Sequence, residues 1–182
     1  KLPIRIGVNA GSLEKDIEKK QGPTARAMVE SALRNIAVLE DLGFYDIKVS
    51  LKASDVERTV TAYRLLSNKT DVPFHLGVTE AGGLYAGITK SAIGIGMLLS
   101  EGLGDTFRVS LTRDPVEEIR TGFEILRALK IRARGPELIS CPTCGRCKID
   151  LFKIAGQVEK ALLERTDQIK VAIMGCVVNG PG

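Results

Sequence analysis

The sequence predicts an α/β fold made of half of a TIM barrel followed by a second, smaller α/β domain. Apolar strand-like runs alternate with amphipathic helical runs, an order typical of parallel sheets. Strands that begin near residues 4, 47, 74 and 107 define four units of the length that a β–α–β crossover uses. Because a closed barrel has eight such units in about 250 residues, four units are close to half of one.

The first two units carry clear start and stop signals. A strand over 4–8 precedes a helix from Pro23, a favoured first helical residue, to Leu42, and Gly43 is placed to cap it. A strand over 47–51 follows. Ser54 and Glu57 match a capping box, which predicts a helix from this point to about Leu66.

The next two units repeat the pattern. A strand over 74–78 precedes a helix through Ile88 to Leu99, and a strand over 107–111 precedes a helix from Pro115 to Leu129. An open doubly wound sheet is the alternative arrangement of such units. After the first strand, however, 7–11 lacks the third glycine of the dinucleotide-binding fingerprint, which favours the half-barrel.

The pattern changes at Gly135-Pro136, a natural domain boundary, so we expect domains at 1–134 and 135–182. The second domain has a cysteine-bearing loop, a helix over 151–163 and a strand over 170–174. The chain begins without methionine and ends on the turn sequence Gly180-Pro181-Gly182. We therefore expect it to be part of a longer protein.

Composition excludes several classes. Apolar residues make up 44% and charged residues 26% of the chain, which is ordinary for a globular protein and unlike a disordered tail. No apolar run reaches the roughly 18 residues of a membrane span, and no signal peptide opens the chain, so we expect a cytoplasmic protein. The net charge of +4 weakly favours an anionic ligand, either a phosphorylated metabolite or nucleic acid.

Each predicted strand of the first domain carries polar residues within it or just after it, and cations dominate the set. In a barrel, the loops at the carboxyl ends of the strands form the active site. Arginine and lysine that converge there would form a diphosphate clamp, although any one of them could be a solvated loop charge. The set is Arg5, Asn9, Lys48, Lys52, His75, Glu80, Arg108, Ser110 and Arg113.

Two members of this set need separate treatment. Glu80 is the one carboxylate among these cations, as a general acid or base would be, although a carboxylate at a turn or helix start is the somewhat more common explanation. His75, the only histidine of the chain, lies within an apolar run, where a hydrogen-bonded core histidine is more common than a catalyst.

The four cysteines indicate a metal or cluster site. A Cys-x-x-Cys-x-x-Cys run with a distant fourth thiol is typical of an all-thiolate iron–sulfur site, but four thiolates also satisfy tetrahedral zinc. In a third arrangement only three are ligands, which leaves an iron open to substrate. Inert buried thiols are the remaining alternative. The four are Cys141, Cys144, Cys147 and Cys176.

Five segments together resemble one enzyme family, the 4-hydroxy-3-methylbut-2-en-1-yl diphosphate synthases of isoprenoid biosynthesis. The resemblance runs from end to end, and the last two segments are the most specific. The segments cover residues 5–13, 75–82, 104–111, 140–146 and 174–182.

The resemblance implies the C-terminal half of a TIM barrel joined to a 4Fe-4S cluster domain. It implies reductive ring opening of 2-C-methyl-D-erythritol 2,4-cyclodiphosphate, with loss of water and uptake of two electrons. Cluster ligands would be Cys141, Cys144 and Cys176, and the fourth ligand of the family is a glutamate one position beyond Gly182. Cys147 falls where the family has no ligand.

The resemblance also implies substrate contacts and partners. Glu80 matches the acidic residue near the departing hydroxyl, and the substrate contacts match Arg5, Asn9, Lys52, Arg108, Ser110 and Asn179. Flavodoxin or ferredoxin would supply electrons to a head-to-tail homodimer of the compact bacterial type, with no nucleic-acid or membrane partner.

Overall fold

The structure, a computed structural model, describes residues 2–180, so that Pro181 and Gly182 of the predicted Gly-Pro-Gly turn lie outside the described residues. The chain is a mixed α/β protein and forms two compact units, Lys1–Leu129 and Lys130–Gly182. This division falls somewhat before Gly135-Pro136, where the sequence places the boundary. Among the described helices, none combines the length and apolarity that a membrane crossing needs.

Six strands and six helices alternate along the described chain, apart from one adjacent helix pair. The strands are β1 (Ile4–Asn9), β2 (Ile47–Lys52), β3 (His75–Leu76), β4 (Thr106–Phe107), β5 (Glu137–Ser140) and β6 (Lys170–Ile173). The helices are α1 (Lys15–Gln21), α2 (Ala25–Asp41), α3 (Val56–Ser67), α4 (Leu84–Ser100), α5 (Pro115–Ala128) and α6 (Leu151–Leu162).

The first four strands lie side by side in chain order and run parallel. β1 pairs with β2 over its whole length, from Ile4 opposite Ile47 to Asn9 opposite Lys52. A single bridge between Val49 and Phe74 joins β2 to the start of β3, and β3 pairs with β4. The parallel sheet predicted from the alternation of strands and helices is therefore confirmed in this unit.

The apolar core of the first unit lies on one face of these strands. In β1 the buried residues Ile6 and Val8 alternate with exposed Arg5, Gly7 and Asn9, as the two-residue period of a strand requires. These buried residues pack against the inner faces of α2 and α3. Met28 of α2 and Tyr63 and Leu66 of α3 are almost fully buried. The opposite face of the strands is consequently left to polar side chains.

Several predicted elements differ in the structure. The third and fourth strands are two residues each, because side chains and loops take over part of their hydrogen bonding. The amide of Phe74, for example, donates to the Asp105 carboxylate at 2.7 Å. Helix α1 and strand β5 were not predicted, and the predicted helix from Pro23 begins at Ala25, capped by the Thr24 side chain. At the end of α2, Gly43 has φ of 68°, as predicted for a glycine cap.

The predicted capping box at Ser54 is wrong by one residue. Asp55 is the N-cap of α3, and its carboxylate accepts a hydrogen bond of 2.6 Å from the amide of Arg58. Ser54 precedes the cap. Aspartate is at least as good a cap as serine. The sequence alone therefore does not decide which of the two residues caps the helix.

The second unit is built on the parallel pair of β5 and β6. Ser140 lies opposite Ile173, which places the carboxyl ends of both strands at one edge of the sheet. Helix α6 connects the two strands, and the Asp150 side chain caps it by accepting from the amide of Lys153 at 3.2 Å. The cysteine-bearing loop follows β5 and leads into this helix.

The cap assignment predicts that Asp55→Ala lowers the free energy of unfolding by about 1 kcal/mol, because the amide of Arg58 loses its acceptor. Ser54→Ala is the matched control, and its effect should lie within about 0.5 kcal/mol of zero. Urea unfolding of both variants measures the difference. A larger loss in Ser54→Ala than in Asp55→Ala would return the cap to Ser54.

Candidate active site

The polar face of β1 and β2 carries a paired set of cations and amides. The parallel register sets Arg5 opposite Lys48 and Asn9 opposite Lys52. These four side chains share the face that points away from the core, because each lies an even number of residues from the others on its strand. Three of the substrate contacts suggested by sequence, Arg5, Asn9 and Lys52, therefore come from one face of one strand pair.

The Lys52 side chain extends from β2 across the backbone at Gly77 toward Arg108. A Cβ atom added at Gly77 would lie 3.2 Å from both Cε and Nζ of Lys52 and 2.8 Å from the backbone oxygen of Arg108. Burial lowers the pKa of Lys52, and the positive charges of Arg5 and Arg108 lower it further. The structure thus brings Lys52 together with two of the other cations predicted from the sequence.

Arg108 is held on the same side of the sheet by Glu118, a residue that sequence reasoning did not select. The amide of Arg108 donates to the carbonyl of Leu76 at 3.0 Å, which continues the β3–β4 pairing. Its guanidinium lies 3.5 Å from Glu118 Oε2 while remaining 62% exposed, and Glu118 Oε1 accepts from the amide of Leu111 at 2.9 Å. Ser110 is two residues further along and partly buried. Sequence reasoning did not select Glu118 because acidic residues are common in the first turn of a helix, where they interact favourably with the helix dipole.

His75 lies beside the cations but is itself neutral near pH 7. Burial lowers its pKa to about 4, and the charges of Lys52, Arg5, Lys48 and Arg108 contribute to this shift. Nδ1 of His75 is 2.9 Å from the hydroxyl of Thr106 on the paired strand. The ring is partly buried and hydrogen-bonded, as the sequence analysis favoured, and it adds no positive charge to the site at neutral pH.

Glu80 follows β3 in a left-handed backbone conformation, with φ of 51°. Such a conformation is unfavourable for a residue with a side chain and is concentrated at functional sites. Glu80 is exposed, and no partner of its carboxylate is found within residues 2–180. The N-cap of α4 is Gly83, without a side-chain bond, so Glu80 does not cap that helix.

Most cations of this face have no neutralising carboxylate within residues 2–180. Among the described residues, no carboxylate forms an ion pair with Arg5, Lys48 or Lys52, and Arg108 alone has one, with Glu118. Cations that are gathered together and partly desolvated are stabilised by an anion placed among them. The geometry is therefore suited to a polyanionic ligand such as a diphosphate, which guanidinium and ammonium groups bind through charge-assisted hydrogen bonds.

The cysteines lie at the carboxyl edge of the β5–β6 sheet in the second unit. Cys141 directly follows β5, and its amide donates to the carbonyl of Ile173 at 3.1 Å. Cys176 comes shortly after β6 and lines a groove of about 870 Å³. The Cys147 thiol contacts Gly175, where an added Cβ would lie 2.6 Å from Sγ. All four thiols are free, and Cys144 is the exposed one.

These residues fit an iron–sulfur cluster in their chemistry, because cysteines that form no disulfide can supply the thiolates that ligate such clusters. The parallel pairing also brings the loop after β5 and the segment after β6 to one edge. The thiols share this edge without converging: in the part of the chain that the structure describes, no three Cys, His, Asp or Glu side chains meet as metal ligands.

Asn179 belongs to the second unit, as the four cysteines do. Its Nδ2 donates to Sγ of Cys141 at 3.3 Å. Of the residues proposed for substrate contact, it is the one that lies beside a candidate cluster ligand.

The His75 environment predicts a pH effect. The folded-state pKa of about 4 lies below the ordinary value of 6.5, so His75 disfavours the folded state progressively as pH falls from 6.5 to 4 and has no effect above 6.5. NMR titration of the imidazole, assigned by its loss in His75→Asn, should give a midpoint near 4. The stability of the variant should fall less over this window. A midpoint near 6.5 would contradict the burial described above.

Comparison with protein families matches both parts of the chain. Residues 1–123 match the GcpE TIM-barrel domain, and residues 137–182 match the GcpE protein C-terminal domain. The two matches leave out residues 124–136, which comprise the end of α5 and the connection to the second unit.

Curated relatives agree. The chain is 63% identical to a protein of Desulfotalea psychrophila, 61% to one of Geobacter sulfurreducens and 60% to one of Thermodesulfovibrio yellowstonii. Each match covers the whole chain, but only 51% or 52% of the relative, so the chain spans about half the length of these relatives. All three are named 4-hydroxy-3-methylbut-2-en-1-yl diphosphate synthase (flavodoxin). Since a model of the family also covers more than half of its residues, the chain belongs to the GcpE family.

Proposed function

We propose that the protein containing this chain reductively opens 2-C-methyl-D-erythritol 2,4-cyclodiphosphate to 4-hydroxy-3-methylbut-2-enyl diphosphate, for isoprenoid synthesis. The reaction takes up two electrons and releases one water. Because the chain spans about half of its relatives, the activity is assigned to the longer protein and not to this chain alone.

One observation carries the proposal: cations gather on one face of the parallel strands, and among the described residues Arg108 alone of them has a carboxylate partner, Glu118. Arg5, Lys52 and Arg108 would hold the diphosphate, with Asn9, Ser110 and Asn179 as hydrogen-bonding groups. Each charge-assisted contact contributes about 1.5–3 kcal/mol, so three of them account for tight binding of a small anion. A substrate with two phosphates joined in a ring presents such an anion.

The order of the strands supports a barrel as the scaffold of this site. In a doubly wound sheet the chain order reverses beside the first strand, whereas β1, β2, β3 and β4 are neighbours in sequence order. We therefore propose that these strands are the C-terminal half of an eight-stranded barrel. The clamp then lies where barrels form their active sites.

The second unit, 135–182 in the sequence-based division, would hold a 4Fe-4S cluster through Cys141, Cys144 and Cys176, with a glutamate of the longer protein as the fourth ligand. When bound, the cluster supplies the two electrons and a Lewis-acidic iron. The hydrogen bond from Asn179 to Cys141 would hold the thiolate of this ligand in place. The side chains still have to converge on the cluster, which is expected because such sites form together with their metal.

Glu80 would deliver the proton that leaves with the hydroxyl as water. Its carboxylate is exposed, without a partner in the described chain, and lies in the loop between β3 and α4. Its strained backbone is consistent with a position that function requires.

The partners follow from the relatives. Their names include flavodoxin, and we propose a flavodoxin as the electron donor, with ferredoxin as the alternative. The proposal further includes a homodimer located in the bacterial cytoplasm.

The ligand assignment predicts different results for two cysteines of one loop. In the full-length protein, Cys144→Ser should lose the cluster, whereas Cys147→Ser should keep its iron content and turnover. Iron and sulfide analysis after anaerobic reconstitution measures both, together with the visible absorption that bleaches on reduction.

Two outcomes would contradict this prediction. Loss of the cluster in Cys147→Ser would favour an all-cysteine electron-transfer site. A colourless wild-type protein that retains one tightly bound zinc would favour a zinc-stabilised phosphate-binding module.

The role of Glu80 predicts a kinetic defect in Glu80→Gln. The substitution preserves shape and removes the titrating group, so substrate binding and cluster content should persist while the reductive step slows by about 100-fold or more. Glu40→Gln, on an exposed position of α2, is the control and should turn over normally. Normal turnover of Glu80→Gln with an altered melting temperature would assign Glu80 to the structure.

A further inference from the structure

The hydrogen-bonded ladder between β2 and β3 is interrupted by a tyrosine of helix α3. The amide of Val49 donates to the carbonyl of Pro73 at 2.9 Å, as in an ordinary parallel pair. The next bond of the same kind would join the amide of Leu51 to the carbonyl of His75. Instead, the amide of Leu51 donates to the Tyr63 hydroxyl at 2.9 Å. That hydroxyl donates in turn to the backbone carbonyl of His75 at 2.6 Å.

A second hydroxyl of α3 accepts from Ala53, the residue that directly follows β2. The amide of Ala53 donates to Oγ1 of Thr59 at 3.2 Å, and this hydroxyl bonds in turn to the carbonyl of Asp55 at 2.8 Å. Thr59 and Tyr63 lie one helical turn apart, so both face the same strand. Both side chains are almost fully buried.

Lys52 is the residue between these two amides. Its own backbone pairs with β1, where its carbonyl accepts from the amide of Ala10 at 3.0 Å, while the amides on either side of it are bound by α3 and not by β3. The spacing that the Tyr63 hydroxyl imposes on β2 and β3 occurs where the Lys52 side chain crosses Gly77 toward Arg108. The ring of Tyr63 is fixed in turn by Phe74, with centroids 5.5 Å apart.

We propose that the Tyr63 hydroxyl, assisted by Thr59, is a positioning group for substrate binding: it sets the separation of β2 and β3 that places Lys52 over Gly77. Phenylalanine would fill the same core space without a buried hydroxyl that needs hydrogen-bond partners. Direct pairing of Leu51 with His75 would satisfy the backbone equally well. This inference rests on the proposed function, because it acts through Lys52 as part of the diphosphate clamp.

The test uses the full-length protein and measures calorimetric binding of the cyclic diphosphate in the absence of reductant, so that no turnover occurs. Tyr63→Phe keeps the ring and removes both hydrogen bonds, and it should weaken binding roughly 10-fold, the effect expected when one charge-assisted contact, that of Lys52, is weakened. In a Lys52→Met background, Tyr63→Phe should have almost no additional effect, because the two residues act as a unit.

Val60→Ala is the matched control. It removes buried volume from the same helix without touching either hydroxyl, so it should lower the melting temperature while leaving affinity unchanged. If Tyr63→Phe fails to fold, Thr59→Val tests the same positioning through Ala53 and should also weaken binding in a Lys52-dependent manner.

The outcomes separate this inference from the proposed function. A wild-type protein that does not bind the cyclic diphosphate would overturn the proposed function. Wild-type binding with unchanged affinity in Tyr63→Phe, or an equal and additive loss in the Lys52→Met background, would overturn the positioning role alone. An equal loss in Val60→Ala would also overturn it, because general destabilisation would then explain the effect.

Discussion

Parallel pairing between β1 and β2 is the constraint on which the candidate site depends. The register that packs Ile6 and Val8 against the core also sets Arg5 beside Lys48 on the opposite face. Like charges placed opposite one another on a sheet disfavour pairing. A slip of one residue would remove this repulsion but would expose the core residues, so burial of apolar side chains keeps the cations together.

The same constraint accounts for the electrostatics of the neighbouring groups. Lys52 and His75 both have lowered pKa values, chiefly through burial and then through the surrounding cations. Lys52 remains the charged member of the pair near neutral pH because its ordinary pKa is far higher. The site therefore combines several cations with one neutral imidazole. The cations repel one another, and an anion bound among them offsets this repulsion.

Helix α3 connects the core to this site. Its cap at Asp55 fixes where the helix begins, and the helical period then sets Thr59 and Tyr63 toward β2. The hydroxyls of these residues satisfy backbone amides that a regular sheet would pair. The packing of one helix is thus coupled to the position of one clamp residue.

The sequence was sufficient to predict the parallel α/β order and the cations, because periodicity and strand-end position depend on local patterns. It did not predict β5 or α1. It also did not predict how short β3 is, because side chains there accept hydrogen bonds that backbone carbonyls accept in a regular sheet. Tyr63 could not be recognised as a neighbour of the cation site, since an aromatic residue on the apolar face of a helix is predicted to be a core residue. Glu118 likewise reads as a first-turn acid, and its bond to Arg108 depends on tertiary packing.

The most direct test of the central claim is a crystal structure of the full-length protein with the cyclic diphosphate bound in the absence of reductant. We expect diphosphate oxygens within about 3 Å of the side chains of Arg5, Lys52 and Arg108, with the Glu80 carboxylate facing the ring carbons. A diphosphate bound elsewhere, with these three cations directed to solvent, would contradict it.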